Sequence, residues 1–173
     1  GLGTGCMGDK TACVSLGTYT AAMMEGREYL RDTKAVWPKF SCMPNKYLYD
    51  SNGIRRGMWT VSWFRDVLGD GFAKEAKAQG MSPEELLSKE AENVPVGSDG
   101  LMTVLDWLAP VDARDKKGMM IGFEGRSDRA HIYRSILEAV AMTMKRHVDD
   151  MTNEMGVTLD QVIITGGGSN SDL

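Results

Sequence analysis

The hydrophobic pattern along the chain predicts alternating strands and helices. Thr11–Leu16 and Tyr19–Met24 read as two short strands joined by a tight Gly17-Thr18 turn. Residues 25–56 read as irregular, because Pro38, Pro44, Asn45, Asn52 and Gly53 interrupt them. A helix is predicted over Trp59–Leu68 with Gly69 near its end, and a second over Gly71–Gln79, stopping at Gly80. Ser82-Pro83-Glu84-Glu85 carries the signature of a capping box, with Ser as N-cap, Pro at the first helical position and Glu at the third, so a helix runs to about Glu92. Gly100–Leu108 is apolar enough for a buried strand, and Met119–Phe123 for a short second one. The clearest element is a helix from Ser127 to about Met151. Ile132, Ile136, Val140, Met144 and Val148 recur along one face, and Arg134, Glu138, Lys145, Arg146 and Asp149 occupy the other. After Gly156, the run Val157–Ile164 leads into a buried strand closed by Gly166, Gly167 and Gly168. This order predicts a mixed α/β domain without repeats.

Composition narrows the class. Of 173 residues, 42% are apolar and 25% charged, which is ordinary globular usage and excludes fibrous and disordered chains. The net charge is −4 and no basic block exceeds two residues, which argues against nucleic acid or an anionic membrane as partner. No apolar stretch approaches the ~20 residues of a bilayer span. Cys6, Cys13 and Cys42 cannot close a disulfide framework and form no zinc-ligand spacing, so buried free thiols in a reducing cytoplasm are expected. The methionines at helical spacing read as core filling. The first residue is not Met, no leader pattern opens the chain, and the last residues are loop-like, so a fragment of a longer protein is expected.

Three glycine-rich segments carry candidate chemistry. Gly3-Thr4-Gly5-Cys6-Met7-Gly8 matches the dinucleotide fingerprint letter for letter, but it lacks the strand before it and the helix after it that the mechanism needs. At Ser15-Leu16-Gly17-Thr18-Tyr19-Thr20, a Gly-Thr turn could direct backbone N–H groups and a hydroxyl at a phosphate, although an ordinary hairpin turn accounts for these residues more simply. At Ile163–Ser171, three glycines end a strand. Their entropic cost favours a site where a base and ribose lie against the backbone, with any following helix directing its positive end at the ligand.

Taken together, SLGTYT (15–20), GMWTVSWFRD (57–66), GFEGRSDRAHIYRSILEAVAM (122–142) and ITGGGSNSDL (164–173) resemble, in order and spacing, the nucleotide-binding half of the FGGY carbohydrate kinases, the xylulokinases among them. The third block resembles the family's C-terminal signature. The resemblance implies an actin-like ATPase (ribonuclease-H-like) α/β fold, a mixed sheet flanked by helices, with residues 1–173 forming part of the C-terminal domain of a two-domain sugar kinase. It implies ATP and Mg²⁺ as cofactors, a sugar or polyol as substrate, a cytoplasmic location and room for a homodimer. Carried over by residue, Gly17 and Thr18 contact the ATP phosphates. Gly57, Met58 and Ser62 line the phosphate and ribose side, Met58 standing where a glycine is common. Gly167, Gly168 and Ser171 form the adenosine turn, flanked by Gly166 and Asn170. The family's general base, an Asp, falls upstream of Gly1, so no catalytic residue is expected in this chain. Asp9 does not replace it, Asp99 and Asp106 read as surface or capping residues, and His131 and His147 as structural. A chaperone-like or non-catalytic ATPase of the same fold is the alternative; the 122–142 block resembles the sugar kinases instead.

Overall fold

The computed structural model describes residues 2–173 apart from Met7, Asp112 and Asp172. The chain divides into two compact units. The first comprises Gly1–Ile54 and Met142–Asn170, the second Arg55–Ala141 and Ser171–Leu173.

In the first unit, strands β1 (Thr11–Leu16), β2 (Thr20–Gly26), β3 (Val36–Phe40), β4 (Tyr47–Ser51) and β7 (Gln161–Thr165) form one sheet in the order β3-β4-β2-β1-β7. All its pairings are antiparallel except β1–β7, which run parallel with Thr11 opposite Gln161 and Ser15 opposite Thr165. β2 is buried along almost its whole length, as a central strand covered on both faces should be. Ala12, Cys13, Ala22 and Met24 are fully enclosed. The segment 25–56 is thus irregular only in part, since β3 and β4 lie between its loops. Pro38 sits in the edge strand β3, where its missing N–H costs no ladder bond, and the pairing with β4 decides the conformation that local residues leave open. The opposite edge, β7, was expected to be buried and is not. With β1 as its neighbour on one side and none on the other among the described residues, it leaves Val162 and Ile164 about half exposed.

In the second unit, the predicted helices 59–68 and 71–79 form one element, α1 (Trp59–Ala78), broken at Gly69, whose φ of 73° and ψ of −175° are non-helical. α2 (Pro83–Ala91) begins with the predicted capping box: the Glu85 N–H donates to Ser82 Oγ at 3.3 Å, and the Ser82 N–H donates to Glu85 Oε2 at 2.6 Å. Val61, Phe64, Phe72, Leu86, Leu87, Tyr133 and Ile136 form the core. The 100–108 run gives only a three-residue strand, β5 (Met102–Val104), paired with β6 (Met119–Ile121). A two-stranded ribbon covers one face alone, so Leu101 is buried while Met102 and Val104 are exposed. Just before it, Gly97, Ser98, Asp99 and Gly100 take φ values of 88°, 49°, 51° and 88°, four left-handed residues in a row. Glu138 holds this turn, accepting from the Gly97 N–H at 2.9 Å and Ser98 Oγ at 3.0 Å.

The long helix, α3 (Arg129–Met155), starts two residues later and ends four later than the periodicity suggests. Asp128 Oδ1 accepts from the N–H groups of Ala130 and His131, a cap that displaces the start from Ser127. Gly156, at φ 64°, ends it: the Gly156 N–H donates to Asn153 O and the Val157 N–H to Thr152 O, the double bond of a Schellman motif. Ile136, Val140, Met144, Val148 and Met151 are buried along its expected face. Cys6 and Cys13 are buried free thiols as expected, whereas Cys42 is exposed. Among the described residues, no helix is long and apolar enough to cross a membrane.

Candidate functional site

Parallel strands end at the same edge of a sheet. Because β1 and β7 are adjacent and parallel, the Gly17-Thr18 turn and the glycine run after Thr165 emerge side by side at their carboxyl ends. This is where open α/β sheets present ligands. The approach is close: a Cβ on Gly166, at φ 96°, would lie 2.7 Å from the Leu16 carbonyl oxygen. Two segments from opposite ends of the chain therefore form one surface.

Each residue on that surface has a distinct setting. Thr18 is exposed, and its hydroxyl makes no hydrogen bond among the described residues. Gly17 is crowded, since a Cβ there would lie 3.2 Å from the Tyr19 carbonyl oxygen. By contrast, a Cβ on Gly167 would meet nothing within 4 Å. Gly167–Asn170 form a single 3-10 turn, closed by Ser169, whose N–H and Oγ both donate to the Gly166 carbonyl, at 3.0 and 2.7 Å. No charged side chain occurs in residues 15–20 or 165–171. The surface offers backbone groups, hydroxyls and one amide, a donor set suited to an anion that brings its own counter-ion.

Gly57, Met58 and Ser62 lie in the second unit, at the start of α1. Gly57 is buried and its carbonyl accepts from the Thr60 N–H at 3.0 Å. Met58 is the N-cap and offers no side-chain cap, while Thr60 Oγ1 donates to the Arg56 carbonyl at 2.6 Å. Ser171 also falls in the second unit, where its Oγ accepts from the Leu173 N–H at 3.3 Å. So Gly17, Thr18, Gly166, Gly167, Gly168 and Asn170 share the first unit, and the remaining candidates belong to the second.

The residue that sequence reasoning missed is Thr20. It is fully buried, its hydroxyl donates to the Gly17 carbonyl at 3.1 Å, and its N–H and C=O pair with Ile54 at 3.0 and 2.7 Å. A threonine three positions after the turn glycine was the available signal.

The remaining candidates are structural. His131 Nδ1 lies 2.7 Å from Asp128 Oδ1 and Nε2 lies 3.3 Å from Asp99 Oδ2, so the histidine joins the helix cap to the left-handed turn. The Asp128 hydrogen bond, helped by Asp99, raises its pKa above the usual histidine value against the opposing effect of burial. Burial lowers the pKa of His147. Asp9 pairs with Arg27 and Lys46. Gly3–Gly8 is followed by β1 instead of the helix that the dinucleotide fingerprint requires, so the fingerprint fails on context. Two open clefts of about 510 and 480 Å³, lined by residues such as Tyr29 and Trp37, and Phe40 and Met43, include none of the glycine-turn residues. Among the described residues, no group of three or more His, Cys, Asp or Glu is placed to hold a metal ion.

The fold is the actin-like ATPase α/β fold of the sugar kinases: the structure superposes on xylulose kinase from Rhodospirillum rubrum with a TM-score of 0.83 at 21% identity, covering 99% of this chain and 33% of that one. It also matches Plasmodium falciparum glycerol kinase, solved with ADP, at a TM-score of 0.77 and 22% identity, again covering 99% of this chain and 33% of the other. In sequence, the chain is 55% identical over 172 residues to the uncharacterized sugar kinase YgcE of Escherichia coli K12, covering 99% of this chain and 35% of that protein. Residues 12–173 match the C-terminal domain of the FGGY family of carbohydrate kinases. The chain belongs to that family. It spans about a third of the length of the relatives it matches.

Proposed function

We propose that residues 1–173 form part of the ATP-binding half of a carbohydrate kinase, which transfers the γ-phosphoryl group of ATP to a hydroxyl of a sugar or polyol. The observation that carries this reading is the convergence of the two glycine segments at the carboxyl ends of β1 and β7, with the Thr18 hydroxyl exposed and the space beside Gly167 open. The relatives named as xylulose kinase, ribulokinase, gluconokinase and glycerol kinase support the substrate class.

In this reading, Gly17 and Thr18 receive the phosphates through backbone N–H groups and the Thr18 hydroxyl. Gly167, Gly168, Asn170 and Ser171 take the adenosine, Gly166 lets that turn lie close against Leu16, and Gly57, Met58 and Ser62 line the phosphate and ribose side. Phosphoryl transfer depends mainly on positioning and charge neutralisation. Because the donor set of the two glycine segments is neutral, Mg²⁺ bound with the nucleotide would supply the charge neutralisation of the phosphates. The substrate oxygen bonds to phosphorus as the bond to the ADP oxygen breaks. The hydroxyl proton passes to an Asp base outside these residues. The unpaired cysteines favour a reducing, cytoplasmic setting.

The test is ADP release by the full-length protein with D-xylulose, L-ribulose, gluconate and glycerol in turn. One of them should raise ADP release well above the sugar-free rate. ATP binding without transfer to any sugar or polyol would favour the non-catalytic ATPase instead.

A further inference from the structure

We infer that Thr20 is the positioning residue of the phosphate turn, an assignment that rests on the nucleotide reading above. Its hydroxyl donates to the Gly17 carbonyl at 3.1 Å, across the turn that carries Thr18. Tying that carbonyl back toward the strand keeps its negative end away from an approaching phosphate and leaves the outer side of the turn to donors. Thr20 itself has little freedom. It is fully buried, its branched Cβ restricts χ1, and both its backbone groups pair with Ile54.

Of two consecutive carbonyls, Leu16 has Gly166 close beside its oxygen and Gly17 accepts from the Thr20 hydroxyl. Only the second of these depends on a side-chain hydroxyl. A change at Thr20 should therefore reach the phosphates and leave the adenosine turn, which follows β7, in place.

The experiment uses the full-length protein and calorimetric titration with Mg·ATP and, separately, with adenosine. Thr20→Val keeps the shape and removes the donor. It should weaken ATP binding about tenfold, roughly the net worth of one hydrogen bond, and leave adenosine affinity within about twofold. Thr20→Ser restores the hydroxyl and should return the wild-type ratio of ATP to adenosine affinity. Should Thr20→Val fail to fold, Thr20→Cys, a weaker donor, takes its place and should show a smaller loss confined to ATP. Wild-type ATP affinity in folded Thr20→Val, an equal loss for ATP and adenosine, or a loss that serine does not rescue would each overturn the assignment. Thr18→Val separates the two readings. If it weakens ATP binding while Thr20→Val does not, only the Thr20 inference falls; if wild-type protein binds no ATP, both fall.

Discussion

Gly166 lies against the carbonyl oxygen of Leu16 so closely that a Cβ would sit 2.7 Å from that oxygen, at a φ of 96° that side chains rarely adopt. Gly167, one residue on, faces open space. Two adjacent glycines thus serve different ends, the first the approach of β1 to the turn after β7 and the second the space in front of it.

Gly166→Ala should therefore destabilise the protein. The left-handed backbone alone costs about 1–3 kcal/mol, and the contact with Leu16 adds to it. A lower urea midpoint for the full-length protein checks this. An unchanged midpoint would mean that the β1–β7 end relaxes freely.

Gly167→Val should behave differently, because nothing in the fold occupies the space its side chain would enter. Stability should stay near that of the wild type while the KM for ATP rises severalfold and the sugar KM holds. A wild-type KM for ATP would remove this turn from the nucleotide site.

Thr18→Val tests the phosphate turn. The exposed hydroxyl bonds to no other described residue, and valine keeps the β-branched shape of threonine at this turn position, so the melting temperature should stay near that of the wild type. If the hydroxyl meets charge that grows in the transition state, kcat should fall by about 10²–10³. Full turnover in the variant would reduce Gly17-Thr18 to an ordinary hairpin turn.

His131 gives the fold a pH dependence with a definite sign. Its pKa is raised above 6.5 in the folded protein, chiefly by the Asp128 hydrogen bond. The stability it contributes is then fully present below pH 6.5 and is lost as pH rises through the folded value. Urea midpoints of wild type and His131→Gln should accordingly differ most in mild acid and converge in mild alkali. A constant difference across that range would show that the ion pairs with Asp128 and Asp99 contribute nothing.

The sequence by itself determined what contiguous residues encode. Ser82 and Glu85 form the predicted capping box, Gly156 ends the long helix, and the face of Ile136, Val140 and Met144 is buried as its period requires. The glycine runs were legible for the same reason, and so was the family they resemble. Only the tertiary structure decided which strands are neighbours. Pro38 and the scattered aromatics of residues 25–56 hide two strands, because a strand is stabilised by its partner across the sheet more than by its own side chains. Val162 and Ile164 read as buried from their apolarity, yet exposure depends on what lies beside β7. The left-handed run Gly97–Gly100 depends on Glu138 and His131, far along the chain. The same holds for the candidate site. Its glycines could be named from the sequence, but the abutment of Gly166 on Leu16 exists only because Ser15 and Thr165 pair in register, a long-range choice that no local pattern specifies.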